Sequence, residues 1–120
     1  MLFRSKVATD ILQANADIVG IFAINDPSGM GAHSAVTKAG LTDQITIVAF
    51  DASPLGKQAV FEKKLYDTPQ QFPRKMAVGT VQSFIDHLEG KEVEKTIFIP
   101  CADYYYETSV NDPTREAEQW

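Results

Sequence analysis

The sequence is poor in the residues that build disulfide frameworks, metal sites and nucleic-acid surfaces. Cys101 is its single cysteine, which excludes an intrachain disulfide, and no cysteine or histidine has the spacing of a zinc ligand set. Its two histidines, His33 and His87, fall within predicted helices and are expected at the surface. With three arginines and a net charge of −5, it has no basic stripe for nucleic acid. We therefore expect no bound metal and no nucleic-acid partner.

Long apolar segments are also missing. The longest apolar run covers residues 18–24, far fewer than the roughly 20 residues that span a bilayer. The first six residues, Met-Leu-Phe-Arg-Ser-Lys, do not contain the apolar core of a signal peptide. A chain of 120 residues with 44% hydrophobic and 22% charged residues is typical of one globular domain.

The apolar residues that are present alternate between helical spacing and short continuous runs. Helices are predicted over residues 5–14, 26–40 and 73–90 and from residue 53 onwards, and extended segments over 18–24, 45–50, 64–69 and 96–100. This alternation is typical of right-handed βαβ units. It predicts an α/β fold with three layers, a mainly parallel sheet and helices on both faces. Residues 1–106 are assigned to this domain, and residues 107–120 to an acidic, weakly ordered tail.

Polar residues follow three of the predicted strands, where an open parallel sheet binds its ligands. Asn25 follows the first strand, Asp51 the second, and Gln70-Gln71 the third. If the first two strands are neighbours, about 4.8 Å apart, Asn25 and Asp51 project over the same edge. An amide beside a carboxylate offers donors and acceptors that suit a polyhydroxylated ligand. Helix capping is the alternative use of polar residues here, and we expect it of Asp26 and Ser53.

Signatures of catalysis and of cofactor binding are incomplete. No serine lies in a Gly-x-Ser-x-Gly elbow, and no nucleophile stands beside a base, so no catalytic residue is predicted. Gly29 and Gly31 follow a strand, but residue 34 is serine where a dinucleotide motif needs glycine. We expect no cofactor. The aromatic run Tyr104-Tyr-Tyr106 is consistent with either stacking on a sugar or packing in the core.

The residues around these strand ends carry a family resemblance. Ile-Phe-Ala-Ile-Asn-Asp at 21–26 and Ile-Val-Ala-Phe-Asp at 47–51 resemble the C-terminal lobe of type I periplasmic binding proteins, near the ribose-binding branch of ABC-transporter receptors. The likeness continues in order through residues 56–59, 64–68, 71–73 and 88–93, and extends from Val7 to Tyr106. Ala49 stands where the family has glycine, and Pro69 is unusual in the short strand.

The resemblance implies a function in binding rather than catalysis. Asn25, Asp51 and Gln71 would form hydrogen bonds with the hydroxyls of a monosaccharide. The partner would be the membrane permease of an ABC transporter, and the full-length parent would be periplasmic or exported. The alternative is the effector-binding domain of a sugar-responsive transcriptional repressor. The segment before the second strand lacks the Pro-x-Asp of those regulators, and the end of the chain lacks their Arg-x-Ser-Thr, which favours the receptor.

Length is the main departure from the family. Its members close two α/β lobes on the ligand, whereas this sequence matches most of one lobe, so a fragment is expected. The helix over 73–90 would pack on the other lobe. The strand over 18–24 would be an exposed edge, which is a template for pairing with another chain. We therefore expect the chain to self-associate.

Overall fold

The computed structural model describes residues 2–115, with side chains from Arg4 onwards. Its helices are α1 (Leu2–Ala14), α2 (Asp26–Lys38), α3 (Pro54–Phe61), α4 (Pro73–Leu88) and α5 (Tyr106–Val110), and its strands are β1 (Gly20–Phe22) and β2 (Thr46–Val48). Proline lies in the first turn of α2, α3 and α4, where its missing N–H costs no hydrogen bond. Gly40 and Gly90, at the predicted helix ends, both have positive φ.

The sheet is mainly parallel, as predicted. β1 and β2 pair in parallel, with Gly20 opposite Thr46 and Phe22 opposite Val48. Residues 67–70 run parallel to β2 beyond it, and residues 102–105 pair with them in the antiparallel direction. The predicted α/β class is therefore confirmed. The consecutive order of the parallel segments brings their carboxyl ends to one edge of the sheet.

The apolar core lies between the helices α1–α3 and one face of the sheet. Its most buried members are Ala32, Val36, Ile45, Ile47, Ala49, Ala52, Ala59, Val60, Leu65 and Tyr104. Two glycines of α2 permit this close packing. A Cβ at Gly29 would lie 2.8 Å from the Cβ of Ala49, and one at Gly31 would lie 2.7 Å from the Cβ of Arg4. These glycines therefore serve helix packing, which explains them without a dinucleotide.

Several apolar side chains lie outside this core. Phe22 and Ile24 are 70% and 76% exposed. No helix in the described part of the chain, residues 2–115, covers that face of β1. α4 has no buried residue, and its apolar residues Val81, Phe84 and Leu88 are exposed along one side of the helix. The molecule is accordingly elongated, with a longest extent of 59 Å. Among the described helices, none combines the length and the hydropathy required to cross a membrane.

One expectation for the C-terminal third is wrong. Residues 96–100 form no strand, because no strand lies beside them in the described structure, and Phe98 is 89% exposed. The pairing occurs later, at residues 102–105. Within the tail predicted to be weakly ordered, α5 reaches Val110 and hydrogen bonds continue to Arg115, while the weak order itself stays a prediction. The remainder of that prediction, residues 116–120, lies outside the described residues.

Residues 104–115 are fixed to α3 by a group that we call the C-terminal clamp, formed by Lys57, Tyr104 and Asp112. Lys57 Nζ lies 3.0 Å from Asp112 Oδ2, and Tyr104 Oη donates to the same oxygen at 2.9 Å. Burial alone would raise the pKa of Asp112, but hydrogen bonds from Thr114, Lys57 and Tyr104 outweigh it and hold that pKa well below its usual range. The Asp112 carboxylate is therefore an ionised hub of the C-terminal packing.

Candidate functional site

Three polar side chains predicted to share a sheet edge are placed in one row. Asn25 and Asp51 each lie three residues beyond the last pair of β1 and β2, in which Phe22 is opposite Val48. Asp51 in turn forms a parallel bridge with Gln70, next to Gln71. The order across the edge is therefore Asn25, Asp51, Gln71, as expected from the carboxyl ends of adjacent parallel strands.

The row combines donors and acceptors that are only partly used within the chain. Gln71 Nε2 donates to Asp51 Oδ1 at 2.6 Å, and Asn25 Oδ1 accepts from the backbone N–H of Ser28 at 3.0 Å. Within residues 2–115, Asn25 Nδ2, Asp51 Oδ2 and Gln71 Oε1 have no hydrogen-bond partner. All three side chains are half-buried. Such a set can both donate to and accept from hydroxyl groups.

The capping of α2 differs from the expectation. Asn25, rather than Asp26, is the N-cap residue, since its side chain accepts from Ser28 three residues later. Asn25 thus has two roles, because capping uses its oxygen and leaves its amide nitrogen free. The expected cap at Ser53 is confirmed, with Ser53 Oγ accepting from the N–H of Gly56 at 3.3 Å.

Asp26 instead joins the three turns that carry the row. It is fully buried. Its Oδ2 accepts from the N–H of Ser53 at 2.7 Å and from Ser53 Oγ at 2.6 Å, while its Oδ1 accepts from Thr68 Oγ1 at 2.5 Å. Thr68 Oγ1 also accepts from the N–H of Ala52 at 3.2 Å. We call Asp26, Ser53 and Thr68 the buried network.

Burial raises the pKa of the Asp26 carboxyl above its ordinary value. The hydrogen bonds from Ser53 and Thr68 oppose that rise, and the nearby Asp51 carboxylate adds to it. Sequence reasoning missed this role for Asp26. A signal was available, because Asn25 and Asp26 are both good capping residues and a helix has one N-cap position.

The backbone at Asp51 is strained. Asp51 has φ 110° and Ala52 has φ 48°, so two consecutive residues with side chains occupy the region that favours glycine. Such conformations cost about 1–3 kcal/mol each and persist only where the surroundings enforce them. Strain of this kind concentrates at functional sites, and here it lies at the centre of the row.

A groove of about 800 Å³ is separate from the row, since none of the three residues of the row lines it. His33, Lys64 and Tyr105 contribute to its lining. His33 is half-buried rather than fully at the surface, and burial, aided by the Lys64 charge, lowers its pKa. Tyr104 belongs to the core, so the aromatic run divides between core and groove. In the described part of the chain, no three acidic, histidine or cysteine side chains cluster as metal ligands.

Sequence comparison connects this geometry with known proteins. The family model of the periplasmic binding protein domain matches residues 4–92. The chain is 34% identical to the ribose import binding protein RbsB of Escherichia coli over 89 residues, which are 74% of this chain and 30% of that protein. It is 38% identical to the fructose import binding protein FruE of Bifidobacterium longum over 79 residues, 66% of this chain and 24% of that protein. The chain thus spans less than a third of these relatives.

Structural comparison agrees with the sequence. An ABC transporter periplasmic solute binding protein from Actinobacillus succinogenes, solved with bound D-allose, superposes with a TM-score of 0.82 at 30% identity, over 91% of this chain and 38% of that one. The glucose-galactose binding protein GanP of Geobacillus stearothermophilus has a TM-score of 0.81 at 17% identity, over 87% and 37% of the two chains, and it supports the fold alone. With its parallel sheet, its match over residues 4–92 and these relatives, the chain belongs to the type I periplasmic binding protein family.

Proposed function

We propose that this chain forms one wall of a monosaccharide-binding cleft, as part of the solute-binding component of an ABC sugar transporter. The observation that carries the proposal is the row at the sheet edge, where Asp51 and Gln71 are paired beside Asn25. Relatives named for ribose, allose and fructose support a monosaccharide as the ligand. The chain contributes binding, with no catalytic step.

The unpaired atoms of the row assign a role to each residue. Asp51 Oδ2 accepts a hydrogen bond from a sugar hydroxyl, and the carboxylate charge makes this the strongest contact of the wall. Asn25 Nδ2 donates to a hydroxyl oxygen, while Gln71 Oε1 accepts from a second hydroxyl. Because the Gln71–Asp51 hydrogen bond already fixes both side chains, little conformational entropy is lost when the sugar binds.

The affinity of one wall is low. Small-ligand sites bury most of the ligand surface, and a single sheet edge covers one side of a sugar ring. We expect a dissociation constant on the order of 1 mM or weaker. Titration with D-ribose, D-allose and D-fructose, followed through the side-chain amide signals of Asn25 and Gln71 in nitrogen-15 NMR spectra, measures binding in this range.

The decisive variant is Asp51→Asn, which keeps the size of the side chain and removes its charge. Losing a hydrogen bond to a charged acceptor costs about 1.5–3 kcal/mol, so the variant should bind its preferred sugar at least about tenfold more weakly. The same NMR titration measures the change.

Asp43→Asn is the matched control, because Asp43 is exposed in the turn before β2, at the other end of the sheet. It removes the same charge and should leave the titration unchanged. If both variants weaken sugar binding equally, the effect comes from the net charge of the chain and not from a contact of Asp51 with the sugar. If none of the three sugars shifts the Asn25 and Gln71 signals of the unaltered chain, the proposed function is wrong.

A receptor of this kind would be exported and would deliver its sugar to a membrane permease. The DNA upstream of the Met1 codon tests this extension of the proposal. An in-frame segment that opens with a signal peptide would support it. A segment that encodes a helix-turn-helix would assign the lobe to a transcriptional repressor instead, and the transport function would be wrong.

We also propose that the chain associates with a second copy of itself through the exposed stripe of α4. Val81, Phe84 and Leu88 are each at least 60% exposed along one side of this helix. They form a contiguous apolar patch, and such patches mark interaction surfaces, whereas apolar residues exposed singly do not. Light scattering should give a mass above the 13.3 kDa of one chain. Phe84→Glu should return the mass to that of a monomer, whereas Gln82→Glu, on the polar side of α4, should not. A monomeric mass for the unaltered chain at high concentration would contradict this proposal.

A further inference from the structure

We propose that Thr68 is a positioning residue for the candidate site: its buried hydroxyl, bonded to Asp26 and to the turn after β2, sets how Asp51 and Gln71 face each other. The use of this arrangement in sugar binding rests on the proposed function. The positioning itself is a property of the unliganded chain and is tested there.

Thr68 lies where three segments meet. Its Oγ1 donates to Asp26 Oδ1, at the start of α2, and accepts from the N–H of Ala52, in the turn after β2. Its own segment continues directly through Pro69 and Gln70 to Gln71. One fully buried hydroxyl thus connects the turns that carry all three members of the row.

The turn after β2 requires such a connection, because its backbone is strained at Asp51 and Ala52. Two hydrogen bonds hold the backbone of this turn. The N–H of Ala52 donates to Thr68 Oγ1, and the N–H of Ser53 donates to Asp26 Oδ2. Without them, the turn can relax toward ordinary φ angles. Relaxation would rotate the Asp51 side chain away from the edge of the sheet.

The position of Gln71 also depends on the turn after β2. The N–H of Asp51 donates to the carbonyl of Pro69 at 3.0 Å, so a shift of the Asp51 turn displaces the segment that leads to Gln71. The side-chain hydrogen bond between Gln71 Nε2 and Asp51 Oδ1 is therefore the visible product of the arrangement. Its loss reports a positioning defect that a simple change of stability does not produce.

The test compares Thr68→Val with Thr68→Ser in the full chain. Valine keeps the shape of threonine and removes the hydroxyl, while serine keeps the hydroxyl and removes the methyl. The Gln71 side-chain amide protons are observed by NMR at a temperature where each variant is folded. Thr68→Val should move these signals toward those of an unbonded glutamine and should speed hydrogen exchange at Ala52. Thr68→Ser should restore both.

Ser109→Ala is the matched control, since it also removes a fully buried hydroxyl, one that donates to the carbonyl of Tyr106 in α5. It should lower the melting temperature and leave the Gln71 signals unchanged. If Thr68→Val lowers the melting temperature in the same way and the Gln71 signals do not move, Thr68 is a structural residue and the inference is wrong. Should Thr68→Val unfold the chain, Thr68→Ser decides: native Gln71 signals support positioning by the hydroxyl, and shifted signals overturn it.

Sugar titration separates this inference from the proposed function. If the unaltered chain binds D-ribose, Thr68→Val should weaken binding on the order of tenfold while Ser109→Ala leaves it unchanged. If the unaltered chain binds none of the tested sugars but Thr68→Val still releases Gln71 from Asp51, the proposed function fails and the positioning role stands.

Discussion

Replacing Asp112 with alanine should lower the free energy of unfolding by about 3–5 kcal/mol, because it leaves the charge of Lys57 buried without its partner. The side chains of Lys57 and Asp112 are only 9% and 13% exposed. The variant also removes the acceptor of the Tyr104 hydroxyl, which is itself in the core. Urea denaturation followed by circular dichroism measures the loss.

Asp10→Ala is the matched control for this prediction. Asp10 pairs with Lys6 at 2.8 Å, a shorter distance than in the clamp, but both side chains are more than half exposed. Surface ion pairs of this kind contribute little, so the control should leave stability nearly unchanged. Similar losses in the two variants would show that burial does not determine the strength of the clamp.

The same clamp makes stability depend on pH in a defined direction. Because the pKa of Asp112 is lower in the folded chain than its ordinary 3.8, the stability it contributes is present above that value and is lost as the pH falls toward the folded pKa. Asp112→Asn, the variant of choice if alanine prevents folding, should flatten this acid dependence. If the stability of that variant falls at low pH as steeply as that of the unaltered chain, Asp112 is not the group responsible for the acid dependence.

Local signals in the sequence predicted most of the fold. Proline in the first turn of a helix, glycine after its last turn and β-branched runs are interactions within a few residues, and they placed α2, α3, β1 and β2 within a few residues of their observed bounds. The predicted neighbours β1 and β2 do pair, and this pairing brings Asn25 and Asp51 to the same end of the two strands.

Errors arose where structure depends on a partner. Residues 96–100 have the composition of a strand, but composition cannot supply a neighbouring strand, and in the described structure they are unpaired. Residues 107–115 depend on a distant contact in the same way, because the ion pair of Asp112 with Lys57, 55 residues earlier, connects them to α3. A contact between residues so far apart in the chain cannot be predicted from the hydrophobic periodicity of a single sequence.

The candidate site shows the same division. Asn25, Asp51 and Gln71 were found because strand ends are visible in the sequence, and their role in sugar binding stays a prediction. The buried network was missed because its members resemble ordinary caps and turn residues. Asp26 and Thr68 are 42 residues apart, and only the folded sheet brings them together.

Gly56 offers the sharpest test of that network from outside the site. A Cβ at this position in α3 would overlap the carboxyl carbon and both carboxyl oxygens of Asp26. Gly56→Ala should therefore displace the Asp26 carboxylate and break its hydrogen bonds to Ser53 and Thr68. Overpacking and the lost hydrogen bonds together should lower the free energy of unfolding by about 2–4 kcal/mol, measured by urea denaturation.

Gly79→Ala is the matched control. It separates the disruption of the buried network from the general effect of replacing a helical glycine with alanine. Gly79 is also inside a helix, α4, but a Cβ there would have no neighbour within 4 Å. Since alanine favours a helix over glycine by about 0.8–1 kcal/mol, Gly79→Ala should not lower stability. Gly56 lies in the first turn of α3, so Gly56→Ala gains at most this helical preference, and any destabilisation it shows has overcome that gain. If Gly56→Ala is as stable as the unaltered chain, the Asp26 carboxylate has room to move, and it does not hold the three turns together.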